Sequence, residues 1–289
     1  MLTYIKSFLA ITFMLFKYLS PERLDVLQNL KIRFSPLKSL NDPYESLPLI
    51  NKDKLKQELI NGAIGEINEL LKCAPQEEIT QENLNLANNL KLSLINDIEQ
   101  TFSHKHLVKG LIEYLGETYG ILSLSRSNNS LLMWSHYASS EKGTGYVIGF
   151  DKTHEFFHKK SGEGNLTKPS PVIYSELRSP VNNDLNQIES LLCQKPLEWA
   201  YEQEERIFRA YMDTERAVGT DNIGLKVITY DIPKEAILAV YIGFQASKEL
   251  EKSLLKAVIK HDINCDIYKA DMSMTEYKII FNKIKKPAS

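Results

Sequence analysis

Residues 121–151, ILSLSRSNNSLLMWSHYASSEKGTGYVIGFD, constrain this chain more than any other stretch. They read as strand, polar turn, short helix, glycine loop and strand. Ile121, Leu122 and Leu124 are the apolar residues of the first strand, with Ser123 and Ser125 set among them. The segment from Leu131 to Tyr137 is short, and Trp134, His136 and Tyr137 lie within one turn, too aromatic for a surface helix. Gly143 and Gly145 allow a tight backbone path into YVIGF, an apolar run bounded by turn signals, as expected of a buried strand. Serines, Trp134 and Tyr137 between two buried strands describe a pocket wall or an ordinary core with satisfied serines. The residues alone leave both readings open, because ligand pockets are largely apolar with a few placed polar groups.

The chain has 289 residues, 43% hydrophobic and 25% charged, which fits a soluble globular protein. A net charge of −2 gives no general attraction to nucleic acid or membrane. Cys73, Cys193 and Cys265 are far apart and fit no metal spacing; a sparse, odd count argues for buried thiols in a reducing, cytoplasmic compartment. SFLAITFMLF, residues 7–16, is too short to span a bilayer and has no small-residue cleavage site after it, so it is expected as a buried lead into the first strand rather than a targeting signal.

That first strand is FKYL, residues 16–19. Ser20-Pro21-Glu22 then carries a helix start, with Pro at the first helical position, followed by LDVLQNL. KIRFS alternates as a second strand and leads into PLKSLNDPYES, where Asn41-Asp42-Pro43 is turn chemistry. Asn41, Asp42 and Glu45 fall together near the end of that strand. Residues 52–116 carry apolar residues at three- and four-residue spacing and predict a helical insertion within a single α+β domain spanning 1–289. The polar segment 152–171 has no periodicity and reads as a lid or an excursion, and 183–195 as a helix. Further strands are expected at VIYS, LKVITYDIP, AVYIGF and INCDIYKADM, with a helix in SKELEKSLLKAVIK and a frayed tail. Strands and helices mix without a βαβ repeat, so the fold class is α+β with a mixed, mainly antiparallel sheet.

PLEWAYEQEERIFRAYM, residues 196–212, is the second chemically loaded stretch. Were Trp199 to Phe208 a strand, alternation would put Glu202, Glu204 and Arg206 on one face. Two carboxylates side by side repel unless a cation such as Arg206 offsets them, and such a pair can hold a sugar hydroxyl or activate a nucleophile, one pKa raised by the other. EQEER is equally good sequence for a helix start with a solvated acidic turn.

The order of these pieces resembles a bacterial family known as domain of unknown function 2971. The resemblance rests on Lys17-Tyr18, the segment from Ile32 to Glu45, the segment from Leu122 to Asp151, and the pattern from Lys195 to Arg206, and covers roughly residues 15–275. Glu205 stands where relatives are expected to carry an aromatic residue. A weaker analogy runs to ADP-ribosyltransferases, whose split sheet bears a first-strand ribose ligand, a second-strand hydroxyl and a late-strand glutamate. That analogy implies NAD as substrate, Lys17 or Tyr18 on the ribose with Ser20 nearby, Ser35 as the second-strand hydroxyl, Glu204 as the catalytic acid and Glu202 as its partner. Asn41, Asp42, Ser123, Ser125, Trp134, Tyr137 and Arg206 complete the expected nucleotide site. Lys17 in place of His or Arg keeps a donor but changes its geometry. The analogy implies a toxin or phage-defence effector with a protein or nucleic-acid acceptor, a partner protein encoded alongside, and no membrane. Two other readings stand beside it: a magnesium-dependent nuclease using Asp42, Glu45, Glu202 and Glu204, and a non-catalytic binding module.

Overall fold

A computed structural model describes residues 13–47, 49, 51–138, 143–158, 168–179, 191–211 and 217–285. Residues 7–12 of the expected N-terminal lead fall outside these, as do most of the expected helix at 183–195 and the middle of the 152–171 segment; the last residues of the lead, Leu15 and Phe16, are buried in the first strand. The fold is α+β, as expected. The chain divides into two compact units: one formed by residues 1–45, 115–177 and 193–289, the other by 46–114 and 178–192.

The first unit is built on a mixed, mainly antiparallel sheet. Its strands in chain order are β1 (Met14–Leu19), β2 (Lys31–Pro36), β3 (Tyr119–Ser125), β4 (Tyr146–Asp151), β5 (Ser170–Pro171), β6 (Ile173–Ser175), β7 (Gln194–Pro196), β8 (Glu204–Ala210), β9 (Ala217–Thr220), β10 (Lys226–Asp231), β11 (Ile237–Ile242), β12 (Asp266–Met272) and β13 (Ile279–Ile284). The main sheet runs β13-β12-β11-β4-β1-β3-β2-β10-β9, and β8 pairs with β3 and β5; β6 and β7 pair separately. Among the described residues, parallel pairing is confined to β11–β12 and β6–β7. The first residues of the tail expected to fray, Asn282 to Ile284, instead complete β13, which pairs with β12 along a six-residue register; residues 286–289 lie outside the described residues.

Alternation explains most of the sheet. In β2, Ile32 and Phe34 are buried, while Arg33 and Ser35 point to the other face. β4 is buried almost throughout, as an inner strand between β1 and β11 must be. Helix α1 (Asp25–Asn29) follows the Pro21 turn and buries Val26 and Leu27 in this core; it ends at Leu30, which turns left-handed with φ 50°. Gly145, at the entry to β4, has no room for a side chain: a Cβ there would lie 2.2 Å from the Leu19 carbonyl oxygen and 2.4 Å from that of Ala138.

The second unit contains α2 (Lys52–Cys73) and α3 (Gln81–Thr101), packed as a hairpin. Asn51 and Thr80 cap them by accepting from Lys54 and Asn83 backbone N–H groups. Helix α4 (His104–Thr118) leads back into β3. Two further helices belong to the first unit, α5 (Leu131–His136), capped by Ser130, and α6 (Lys248–Lys260), which connects β11 to β12 and buries Leu250, Leu254 and Val258.

Candidate functional site

The sheet splits at β3. One edge of β3 pairs fully with β8. The other edge meets β1 at the single pair Phe16–Ser125 and β2 only at Ile121–Ser35 and Gly120–Pro36. Between these contacts the edge at Leu122 to Leu124 pairs with no strand among the described residues. Backbone polar groups left this way need another partner, and the Lys17 ammonium supplies one, donating to the Ser123 carbonyl at 3.0 Å. A cavity of about 230 Å³ opens in this gap, lined among others by Lys17, Ser35, Asn41, Ser123, Tyr137, Lys195, Glu202 and Glu204.

The two glutamates reach it by a route that alternation does not describe. Leu197–Glu202 is a 3-10 helix, Gln203 turns left-handed at φ 46° and ψ 48°, and β8 starts at Glu204. The continuous strand expected from Trp199, and the solvated acidic turn, both give way to this kink. It is pinned from β3: the Ser125 hydroxyl donates to the Glu202 carbonyl at 2.6 Å, and the Arg126 N–H donates to that of Gln203 at 3.0 Å. Glu204 and Arg206 then share a face of β8.

A buried charge network results. Lys195 donates to Glu202 Oε2 at 2.7 Å and lies 2.8 Å from Glu204 Oε2 and 3.2 Å from Glu45 Oε1. Arg206, fully buried, grips Glu204 through Nε at 2.9 Å and Nη2 at 3.0 Å and also bonds Glu45. The Tyr137 hydroxyl donates to Glu202 Oε1 and accepts from Asn41 Nδ2 at 3.2 Å. Three carboxylates thus meet two cations, with Lys17 across the cavity.

The pair is polarised. Burial pushes both carboxyls up, but the guanidinium of Arg206 and the ammonium of Lys195 overcome this at Glu204 and hold it at about 2. At Glu202 burial dominates, against Lys195 and Tyr137, and its pKa is raised. Burial lowers Lys17 to about 8, against the pull of Glu204. Lys195 is held above the ordinary lysine value: burial opposes this, and Glu204 and Glu45 prevail. Two carboxyls whose environments drive them apart is the arrangement in which one stays ionised and the other exchanges protons.

Most of the expected site residues converge here. Lys17, Tyr18, Ser35, Asn41, Ser123, Ser125, Tyr137, Glu202 and Glu204 line the cavity, although the Tyr18 hydroxyl is already committed to the Ser127 carbonyl at 2.8 Å. Arg206 lies behind it as the clamp on Glu204. Trp134 does not line it: the ring is fully buried, stacks edge-on against Tyr18, and donates its N–H to the Asn128 carbonyl at 2.7 Å. Ser20 sits at the start of a 3-10 turn outside the cavity lining. Asp42 is buried, and its Oδ1 accepts from the Tyr44 N–H at 2.9 Å, also outside the lining. Of the four carboxylates considered for magnesium, Glu45, Glu202 and Glu204 meet, but on the Lys195 ammonium, and no metal-binding group of acids, His or Cys occurs among the described residues. Lys195 is the residue that composition did not single out as a site group; its place in the Lys195 to Arg206 pattern was the available signal.

Among the described residues no helix is long and apolar enough to cross a membrane. No curated protein and no solved structure matches the chain. Residues 133–207, which carry Tyr137, Lys195, Glu202, Glu204 and Arg206, match the model of DUF2971, a protein family of unknown function.

Proposed function

We propose that the chain is an NAD-consuming enzyme of the ADP-ribosyltransferase or glycohydrolase kind, with the ribose in the split between β1 and β3. The observation that carries this reading is the oppositely polarised pair Glu202 and Glu204 at the wall of a small, polar-lined cavity. An ionised Glu204 would favour the oxocarbenium-like transition state that forms as the nicotinamide bond breaks, by presenting preorganised negative charge. Glu202, whose pKa is raised, is the stronger base of the pair in its ionised form and is suited to receive a proton from the attacking acceptor. Ser35 and Asn41 offer hydrogen bonds to ribose hydroxyls. The cavity volume of about 230 Å³ fits part of a dinucleotide rather than the whole. A cytoplasmic effector role, with a protein or nucleic-acid acceptor, accompanies this reading.

The test is nicotinamide release from NAD by purified protein. Glu204→Gln keeps the shape and removes the charge, and is expected to lower release on the order of a hundredfold or more. A non-catalytic binding module is the second reading, favoured by the close charge compensation of the network, because paired buried ions also serve structure alone. Absence of release by the wild type under all acceptor conditions would sink the enzyme reading and leave the second.

A further inference from the structure

A second cavity of about 410 Å³ lies beside the first, lined by Arg33, Ser35, Lys38, Ser39, Leu40, Asp221, Asn222 and Ile223. Ser35, Ser39 and Leu40 line both cavities, so the two adjoin along the end of β2. Their chemistry differs. The first cavity has carboxylates on its wall; the second has two cations, Arg33 and Lys38, against one carboxylate, Asp221.

Asp221 is occupied. It accepts from the Ile223 and Leu225 N–H groups at 3.1 and 2.9 Å, and its other oxygen takes Arg33 Nη2 at 2.7 Å. This fixes the guanidinium against the β9–β10 turn while spending one of its five N–H donors. The Arg33 Nε–H is buried with no acceptor. Lys38 is exposed and has no ion-pair partner among the described residues. The Ser35 hydroxyl makes no hydrogen bond among the described residues either, and Ser35 shares a face of β2 with Arg33, two residues or about 7 Å away. A preset guanidinium fork with unspent donors and an exposed ammonium lining the same cavity is the donor set that binds phosphate.

We infer that the ligand carries phosphate, held by Arg33 and Lys38 in the second cavity, while its sugar occupies the first, so that the natural ligand class is a ribose phosphate or nucleotide. The inference rests on the sugar placement proposed above and extends it by one ligand group.

The test is equilibrium binding of ADP-ribose, which has no nicotinamide to lose, compared with ribose and with inorganic phosphate, for wild type, Lys38→Ala and Arg33→Gln. ADP-ribose is expected to bind the wild type, to bind either variant about tenfold or more weakly, and to lose affinity as salt rises, while any binding of ribose stays unchanged. Lys38 is exposed, so its variant tests the site without risk to folding. ADP-ribose binding that is absent in the wild type, equal in all three proteins, or no tighter than that of inorganic phosphate would overturn the inference. Nicotinamide release is read separately: release that persists with unchanged KM for NAD in both variants would leave the catalytic reading standing and remove the phosphate site.

Discussion

Lys195 stands where Glu45, Glu202 and Glu204 meet, and its role follows from what its removal would leave behind. Lys195→Met keeps the chain length and strands three buried carboxylates around a thioether, with Arg206 as the remaining cation among them. Breaking a buried ionic cluster by deleting one partner costs roughly 3–5 kcal/mol, and urea denaturation of the variant is expected to show a loss of that order. A loss below about 1 kcal/mol would mean that the carboxylates reach water. Acid sensitivity should trace to Glu204. Its folded pKa of about 2 lies below the ordinary 4.5, so the unfolded chain takes up the proton first. The stabilisation is present above pH 5 and is lost as pH falls through 4.5 toward 2. Glu202, shifted the other way, contributes the opposite slope. Glu204→Gln should therefore flatten the decline in urea midpoint between pH 5 and pH 3, whatever its effect at neutral pH; an unchanged decline would assign the acid limb to other groups. Glu202, Glu204 and Arg206 were legible as a charged set because like charges so close demand an offset. Lys195 was not, because nothing in local spacing brings residue 195 onto Glu45, which stands 150 positions earlier in the sequence.

The elements of the site are positioned by breaks in regular structure. Alternation predicts Glu202 and Glu204 on one strand face, and the outcome is right for a different reason: Gln203 leaves the strand for the left-handed region, and the 3-10 turn delivers Glu202 to the same cavity. A left-handed non-glycine residue costs about 1–2 kcal/mol relative to helical backbone, more for a β-branched side chain. Gln203→Gly is expected to be neutral within about 1 kcal/mol and to keep the site, whereas Gln203→Val should lose roughly 1–2 kcal/mol and weaken ligand binding with it. Equal thermal stability of the two variants would show that the kink is set by the Ser125 and Arg126 clamps alone. The split beside β3 was foreshadowed only through the transferase analogy. Sequence places polar Ser123 and Ser125 within an apolar strand, but whether such serines are satisfied in a core or face a cavity depends on which strands arrive at each edge, a long-range matter. Trp134 shows the converse: its sequence neighbours place it on a pocket wall, yet the ring is buried and its N–H partner lies in its own turn, at Asn128.

At the scale of the whole molecule the α+β class and the helical stretch at 52–116 were legible, because period two and period 3.6 are local signals. The pairing of β3 with β8, 79 residues or more apart along the chain at every register position, was not. The helical unit also differs from the sheet unit in how much it buries. In α2 only Ile60 is buried and in α3 only Ala87, while Leu70, Leu86, Leu90 and Leu92 are each more than half exposed. Little apolar area leaves water there, so little hydrophobic stabilisation opposes chain entropy. The sheet unit, by contrast, holds a continuous core from Leu15 to Ile267. The two units should therefore unfold in separate steps rather than as one transition. Their spectroscopic signatures are separable, since both tryptophans, Trp134 and Trp199, lie in the sheet unit, and α2, α3 and α4 supply most of the described helix. On heating, ellipticity at 222 nm is expected to fall first, with tryptophan fluorescence following at higher temperature. ADP-ribose should raise the second midpoint and leave the first in place, because every residue lining either cavity belongs to the sheet unit. Coincident transitions by the two probes would instead make the helical unit an integral part of a single cooperative fold.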